Sequence, residues 1–213
     1  MTRTPPADEG AAHSKRRTAG GPARRQRVDL DGERIEQLLH RLDARLRDRE
    51  VAAVVHVVGG AAVLAATGLR RVTRDVDVAH LDPVVAEEAR ALAKEEGLPP
   101  DWLSAAAGPW APPGAARTPS GAGSGLTVVY ASPAELLAMK MVALRSQDAP
   151  DIVALSVTLG LHGEPSAAFE ALLRQVYPDF SNLALLLGVA DDDLDDEISA
   201  VARAVARLVS RQQ

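Results

Sequence analysis

The chain has 213 residues, and its content of 46% apolar and 25% charged residues is ordinary for a globular protein that buries a sizeable core. The formal net charge of −5 gives no case for nucleic-acid binding by the protein as a whole, and the absence of cysteine excludes disulfides, zinc–thiolate sites and thiol catalysis. Because no run of about 18 apolar residues predicts a membrane span and the N-terminus has no apolar signal segment, we expect a cytoplasmic protein with no membrane partner.

Residues 1–28 are predicted to form a disordered basic tail. They are rich in Pro, Gly, Ala and Arg and contain seven basic residues against two acidic ones, with no apolar periodicity. Such a segment buries too little surface to offset its ordering entropy. A basic tail of this kind can add affinity for RNA or DNA by releasing counterions, or it can be a solvated segment without a role.

The first half of the folded region, from Asp29 onward, alternates helices and strands. Apolar residues at helical spacing, short apolar runs and polar–apolar alternation identify the elements. They are a helix over about 31–48, a strand over 52–58, a short helix over 61–67, a strand over 74–80 and a helix that starts at Asp82-Pro83 and runs to Glu96.

The second half begins with a segment rich in Gly and Pro. Residues 97–125 are predicted to be mostly loop, with one or two helical turns in the segment DWLSAAA at 101–107. The remaining elements are a strand over 126–131 and helices over about 133–145, 148–159, 165–176, 180–188 and 192–210. This order predicts an α/β (α+β) fold, in which a domain with a small mixed sheet at 29–160 is followed by a helical C-terminal segment at 161–213.

Gly59 and Gly60 lie between a predicted buried strand and a predicted helix. Two glycines allow backbone amides to approach a phosphate group closely, and the start of a helix favours an anion. Many strand–helix turns use a glycine pair for purely structural reasons, so this pair alone does not distinguish a phosphate site from an ordinary turn.

Asp75 and Asp77 lie two residues apart on the second predicted strand, so both carboxylates should project from the same face. Two like charges held this close repel each other unless a cation or hydrogen-bond donors compensate. Paired carboxylates suit Mg²⁺ or Mn²⁺, particularly where the metal also binds phosphate oxygens. The alternative is a solvent-facing strand edge on which Arg70, Arg71 or Arg74 pairs with the acids.

Lys140 lies within ELLAMKMVAL, an otherwise apolar predicted helix. A buried ammonium group is unfavourable unless it is paired, so this lysine is a candidate site residue. It can equally extend to solvent at the edge of an apolar stripe. Asp148 and Asp151, taken alone, are typical carboxylates at the start of a helix.

The pattern Gly-Gly, short helix, Arg-x-Thr-x-Asp-x-Asp resembles the defining motif of the DNA polymerase beta-like nucleotidyltransferase superfamily. More narrowly, GGAAVLAATGLRRVTRDVDV is similar to minimal bacterial nucleotidyltransferases, the group that includes the AbiEii-like toxins of type IV toxin–antitoxin systems. The segments LPPDWL and ASPAELLAMKMVALRSQDAPDI resemble a domain-of-unknown-function branch of the same group. The resemblance covers about residues 52–160.

The resemblance implies a role for each matching residue. Gly59, Gly60 and Ala61 would cradle the triphosphate of a nucleoside triphosphate, and Asp75 and Asp77 would hold the metal and be catalytic. Lys140 would contact phosphate, Asp151 would be the later catalytic acid with Asp148 as its neighbour, and Arg71 and Thr73 would orient the acids or the phosphates.

The function implied is Mg²⁺-dependent transfer of a nucleotide from a nucleoside triphosphate to an acceptor such as RNA or tRNA, with an antitoxin-like protein as a further partner. Enzymes of the superfamily often carry a third carboxylate, on a later strand, as general base. The predicted strand at 126–131 has no acid. The alternative function is therefore a nucleotide-binding regulatory or partner-binding module with lost or weak catalysis.

Overall fold

The computed structural model describes residues 28–69, 72–113 and 123–211. Eight α-helices and four strands form this part of the chain. In chain order they are α1 (Gly32–Asp48), β1 (Ala52–Val58), α2 (Gly59–Thr67), β2 (Val76–Val78), α3 (Pro83–Glu96), β3 (Leu103–Ser104), β4 (Gly125–Tyr130), α4 (Pro133–Ala143), α5 (Ala149–Thr158), α6 (Ser166–Val176), α7 (Phe180–Leu187) and α8 (Leu194–Ser210). The predicted α/β class with a helical C-terminal part is confirmed.

The four strands form one mixed sheet in the order β3-β2-β1-β4. β1 runs antiparallel to β2 and parallel to β4, and β2 runs parallel to β3. The register places Val57 opposite Val78 and Val58 opposite Asp77. β2, which carries one of the two acids of interest, therefore lies inside the sheet with a strand on either side.

Two segments differ from their predictions. The strand predicted over 74–80 is limited to Val76–Val78, so Asp75 lies just before β2 and only Asp77 lies on it. Residues 101–107 were expected to contain helical turns, but Leu103 and Ser104 form β3. The cause is tertiary: Trp102 is fully buried, its indole N–H donates to the carbonyl of Ala89 at 2.9 Å, and its own carbonyl accepts from the amide of Val76 at 2.6 Å. Burial of the indole brings this segment alongside β2, where two residues are enough to extend the sheet.

The ends of several helices follow from their capping residues. Asp82 accepts from the amide of Val84 at the start of α3, and Ser132 and Glu135 form a capping box at the start of α4. Each such cap typically stabilises a helix by about 1 kcal/mol. The prediction for residues 1–28 falls, except for Val28, outside the described residues.

The C-terminal helices share their core with the sheet domain. α8 packs against α4, α5 and α6, and the buried side chains of Phe169, Leu173 and Ile198 belong to the same hydrophobic cluster as Val55 and Val57 of β1. Among the described residues, no helix is long and apolar enough to cross a membrane.

Strand β4 is an edge strand of the sheet, and a side chain of helix α1 is hydrogen-bonded to its backbone. The amide of Leu126 donates to Oδ1 of Asp43 at 2.7 Å, and Arg47 donates to Oδ2 of the same carboxylate at 2.9 Å. These two hydrogen bonds, that from the Leu126 amide first, hold the pKa of Asp43 below its usual value. Gly125 has φ +118°, and a Cβ atom there would lie 2.5 Å from Oδ1 of Asp43, so glycine is needed at this corner.

Candidate functional site

A cavity of about 290 Å³ lies between the start of α2, the acidic strand β2 and the connection from α4 to α5. Its charged and glycine residues come from three separate parts of the chain, which only the fold brings together. The lining residues are Gly59, Gly60, Asp75, Asp77, Ala107, Trp110, Leu136, Met139, Lys140, Ala143, Arg145, Gln147 and Asp148.

Gly59 is in direct contact with the acidic strand. It is the first residue of α2, has φ +62°, and a Cβ atom built on it would lie 2.8 Å from Oδ2 of Asp77. Both the left-handed backbone and the closeness of the carboxylate require glycine at this position. The turn therefore brings the start of a helix up to one of the two acids.

Asp75 and Asp77 line the same cavity, as the spacing predicted. Val76 and Val78, which alternate with them, are fully buried on the other face. Burial, and next the neighbouring Asp75, raise the pKa of Asp77 to about 6, although Lys140 and Arg145 act in the opposite direction. Burial and the nearby Asp101 also raise the pKa of Asp75, against the effect of Arg74.

Of the alternative arrangement, the strand edge is wrong, and of its three arginines the structure describes only Arg74. β2 is an inner strand, and neither Asp75 nor Asp77 makes a salt bridge with a basic residue in the described ranges. Arg71, which was expected to orient the acids or phosphates, lies outside the described residues, as does Arg70. The two carboxylates thus stand together in a cavity without a direct cationic partner from this part of the protein.

Lys140 does not extend to solvent. Its ammonium group lies 2.5 Å from Oδ1 of Asp148 and 3.0 Å from Oδ2 of Asp151. Both carboxylates are buried, with 5% and 2% of the residue exposed. Asp148 precedes α5 but makes no capping hydrogen bond there, so its carboxylate serves Lys140 instead of the helix.

The other predicted residues lie further from the cavity. Asp151 does not line it and contacts Lys140 from the buried side. Ala61, in the first turn of α2, is 3% exposed and also does not line it. Thr73 donates from its hydroxyl to the carbonyl of Asp75 at 3.2 Å, while its backbone pairs with Leu30. Thr73 therefore fixes the backbone segment that leads into the acidic strand.

Two polar lining residues were not predicted, Arg145 and Gln147. Arg145 is exposed and makes no salt bridge with another residue of the described ranges, and its charge acts on Asp77. It reaches the cavity because Leu144 adopts φ +39°, a conformation rare for a non-glycine residue, and so ends α4 abruptly. No sequence pattern predicts a left-handed helix end at a leucine.

The residues present fit a divalent cation of the kind that is completed by substrate. No group of three or more His, Asp or Glu side chains within the described ranges could form a closed metal site. Mg²⁺, however, is commonly held by one or two carboxylates together with water and substrate phosphates. Asp75 and Asp77, close together, lining a cavity and lacking a direct cationic partner in these ranges, match that requirement.

Comparisons of this chain with models of protein families, with curated proteins and with solved structures found no match. The chemistry of the site therefore has to be argued from its own geometry.

Proposed function

We propose that this protein is a Mg²⁺-dependent nucleotidyltransferase that moves a nucleotide from a nucleoside triphosphate to an acceptor hydroxyl. The observation that carries the proposal is the cavity in which the Gly59-Gly60 turn, the Asp75–Asp77 pair and the cations Lys140 and Arg145 converge. A polyphosphate needs backbone amides and cations, and a metal bridging it to the protein needs carboxylates. The same cavity offers all three.

In the proposed reaction, an oxygen of the acceptor hydroxyl forms a bond to the α-phosphorus, the bond from that phosphorus to the α,β-bridging oxygen breaks, and pyrophosphate leaves. A divalent cation bound at Asp75 and Asp77 would neutralise the charge that develops on the phosphate oxygens. The start of α2 binds phosphate through its amides, and Lys140 and Arg145 hold the outgoing pyrophosphate. Asp148 contacts Lys140 and therefore lies on the side of the leaving group, so the proton of the attacking hydroxyl passes to water.

The paired carboxylates of Asp148 and Asp151 hold Lys140 in one position. An ammonium group fixed before substrate arrives needs no reorganisation during the reaction, which is the condition for effective electrostatic stabilisation. In this proposal Asp151 is a positioning residue. That assignment differs from the catalytic role implied by the resemblance, because Asp151 does not line the cavity.

The test uses the four nucleoside triphosphates labelled at the α-phosphate, Mg²⁺ and total RNA, because the resemblance implies an RNA acceptor. We expect label on RNA with the wild-type protein and a loss on the order of 10²–10³-fold in Asp75→Asn and Asp77→Asn. Asp48→Asn is the matched control, since Asp48 is an exposed aspartate at the end of α1. Transfer that survives both site variants contradicts the proposed site.

A second candidate function is supported by the strand β4, which has no acidic residue where a third strand carboxylate would be expected. A protein with this site could bind the nucleotide and regulate a partner without transferring it. The same experiment separates the two functions when it is run beside calorimetry of nucleotide binding. Binding that requires Asp77, with no label on RNA, protein or small acceptors, identifies the binding module.

A further inference from the structure

The cavity has two walls of different chemistry. The charged wall consists of the Gly59-Gly60 turn, Asp75, Asp77 and the cations. The apolar wall consists of Ala107, Trp110, Leu136, Met139 and Ala143, of which the last three lie on α4 beside Lys140. Leu136 and Met139 are 1% and 8% exposed and belong to α4, whereas Trp110 comes from the segment between β3 and β4 and is half-buried. The charged wall is sufficient to bind a polyphosphate. The apolar wall favours a ligand that also has an apolar part.

The two tryptophans of the chain have different surroundings. Trp102 is fully buried and its indole N–H is bonded to the carbonyl of Ala89. Trp110 is partly buried, packs against the hydrophobic core and lines the cavity. Trp102 thus serves the fold, while Trp110 presents an aromatic surface beside the charged wall.

The backbone around Trp110 is fixed by contacts that do not involve its indole. The carbonyl of Trp110 accepts from the hydroxyl of Tyr177 at 2.6 Å. Gly108, at the start of the same short 3₁₀ turn, lies so close to the residue after β2 that a Cβ atom there would be 2.6 Å from the carbonyl of Ala79. These contacts anchor the loop in addition to the packing of Trp110 against the core, and Trp110 still lines the cavity.

We propose that Trp110 stacks on the nucleobase of the nucleoside triphosphate whose phosphates lie on the charged wall. This inference rests on the proposed function and narrows its ligand to a nucleotide, as opposed to a bare polyphosphate or a sugar phosphate. Stacking of a base on an aromatic side chain typically changes affinity by about 5- to 100-fold. Every base has an aromatic face, so Trp110 separates nucleotides from non-aromatic phosphates and discriminates little among the four bases.

The test measures dissociation constants by calorimetry for two kinds of probe in Mg²⁺ buffer without acceptor. One probe is the set of α,β-methylene analogues of the four nucleoside triphosphates, and the other is inorganic tripolyphosphate. We expect Trp110→Leu to weaken the nucleotide analogues by about 5- to 100-fold and to leave tripolyphosphate within about twofold. Trp110→Phe, which keeps an aromatic face, should restore most of the nucleotide affinity.

Fluorescence gives an independent readout, because the chain has only two tryptophans. The analogues should quench wild-type emission, and Trp110→Phe should abolish the quenching while the signal of Trp102 remains. Retention of the Trp102 signal and of the wild-type circular dichroism spectrum shows that the variants are folded.

Several results would overturn the inference, and they differ from those that overturn the proposed function. An equal loss of nucleotide and tripolyphosphate affinity in Trp110→Leu would make Trp110 structural. Unchanged nucleotide affinity in that variant would remove the stacking contact. If the wild-type protein binds tripolyphosphate as tightly as the analogues, it has no subsite for the base, but the proposed phosphate site is supported. Wild-type protein that binds neither probe has no such site, and both proposals then fail.

Discussion

At the scale of single residues, Gly59 and Gly68 form a matched pair. Both have left-handed backbones, with φ +62° and +64°, but a Cβ atom would meet Oδ2 of Asp77 only at Gly59 and would meet nothing within 4 Å at Gly68. Alanine in this conformation is strained by about 1–2 kcal/mol. We therefore expect Gly68→Ala to lower the free energy of unfolding by that amount and Gly59→Ala to lower it further, because the carboxylate must also move.

Urea denaturation of both glycine variants gives the comparison, and label transfer tests its consequence. A carboxylate displaced by an ångström can slow a reaction by on the order of 10²-fold, so Gly59→Ala should lose transfer while Gly68→Ala retains it. Equal stability losses in the two variants would show that Asp77 moves aside freely.

Asp77 makes the stability of the protein depend on pH. Its pKa is raised from 3.8 to about 6 in the folded state, mainly by burial. Between these two values the folded state binds more protons than the unfolded state, so the free energy of unfolding falls as pH rises through this window. Asp77→Asn removes this titration. Its stability relative to wild type should therefore rise by about 1–3 kcal/mol from pH 4 to pH 7.

The measurement is chemical denaturation in metal-free buffer at several pH values, with Asp48→Asn as the control at an exposed position. A difference between Asp77→Asn and wild type that stays constant across the window would show that Asp77 titrates normally. Asp77→Asn should lose transfer activity even where its relative stability is highest, because the carboxylate that is unfavourable for folding is the one assigned to the metal.

At the scale of elements, Lys140 joins α4 to the start of α5 by ion pairs. Its ammonium group is the cation that both Asp148 and Asp151 contact in the interior. Removing one partner from a buried ionic cluster typically lowers stability by about 3–5 kcal/mol, so we expect Lys140→Met to lose an amount in this range.

Two further variants define the origin of that loss. Lys94→Met, at an exposed position of α3, should change stability by less than about 0.5 kcal/mol. The triple variant Lys140→Met, Asp148→Asn, Asp151→Asn should recover part of the loss, because it buries fewer charges. A loss below about 1 kcal/mol in the single variant would mean that the cluster adds little to the fold.

Elements with local signals were predictable from the sequence, and those made by distant contacts were not. Asp82 with Pro83, and Ser132 with Glu135, mark helix starts because a cap is a contact between near neighbours. The two-residue strand β3 has no such signal, since it exists only because Trp102 is buried against α3. The same distinction holds in the site. The spacing of Asp75 and Asp77 predicts a shared face. The position of Arg145 in the cavity depends on the backbone at Leu144, and that of Trp110 depends on a loop anchored by Tyr177.

At the scale of the whole molecule, the hydrogen bond between Asp43 and Leu126 has a consequence for association. An edge strand presents unpaired amides with which a strand of another molecule can pair. Proteins prevent such pairing by covering these amides or giving them another hydrogen-bond partner. The Asp43 carboxylate occupies one such amide at the start of β4. In this sense helix α1 supplies a side chain in place of a neighbouring strand.

Removal of that carboxylate should therefore favour contact between copies of the protein. We expect Asp43→Ala to shift the size distribution towards larger species as concentration rises, as measured by light scattering after size-exclusion chromatography. Asp43→Asn keeps an oxygen that can accept from Leu126, so its distribution should follow wild type. Identical behaviour of the alanine and asparagine variants would show that this amide does not govern self-association. If the expected difference is found, a single carboxylate on a helix limits self-association of the protein through the edge of its sheet.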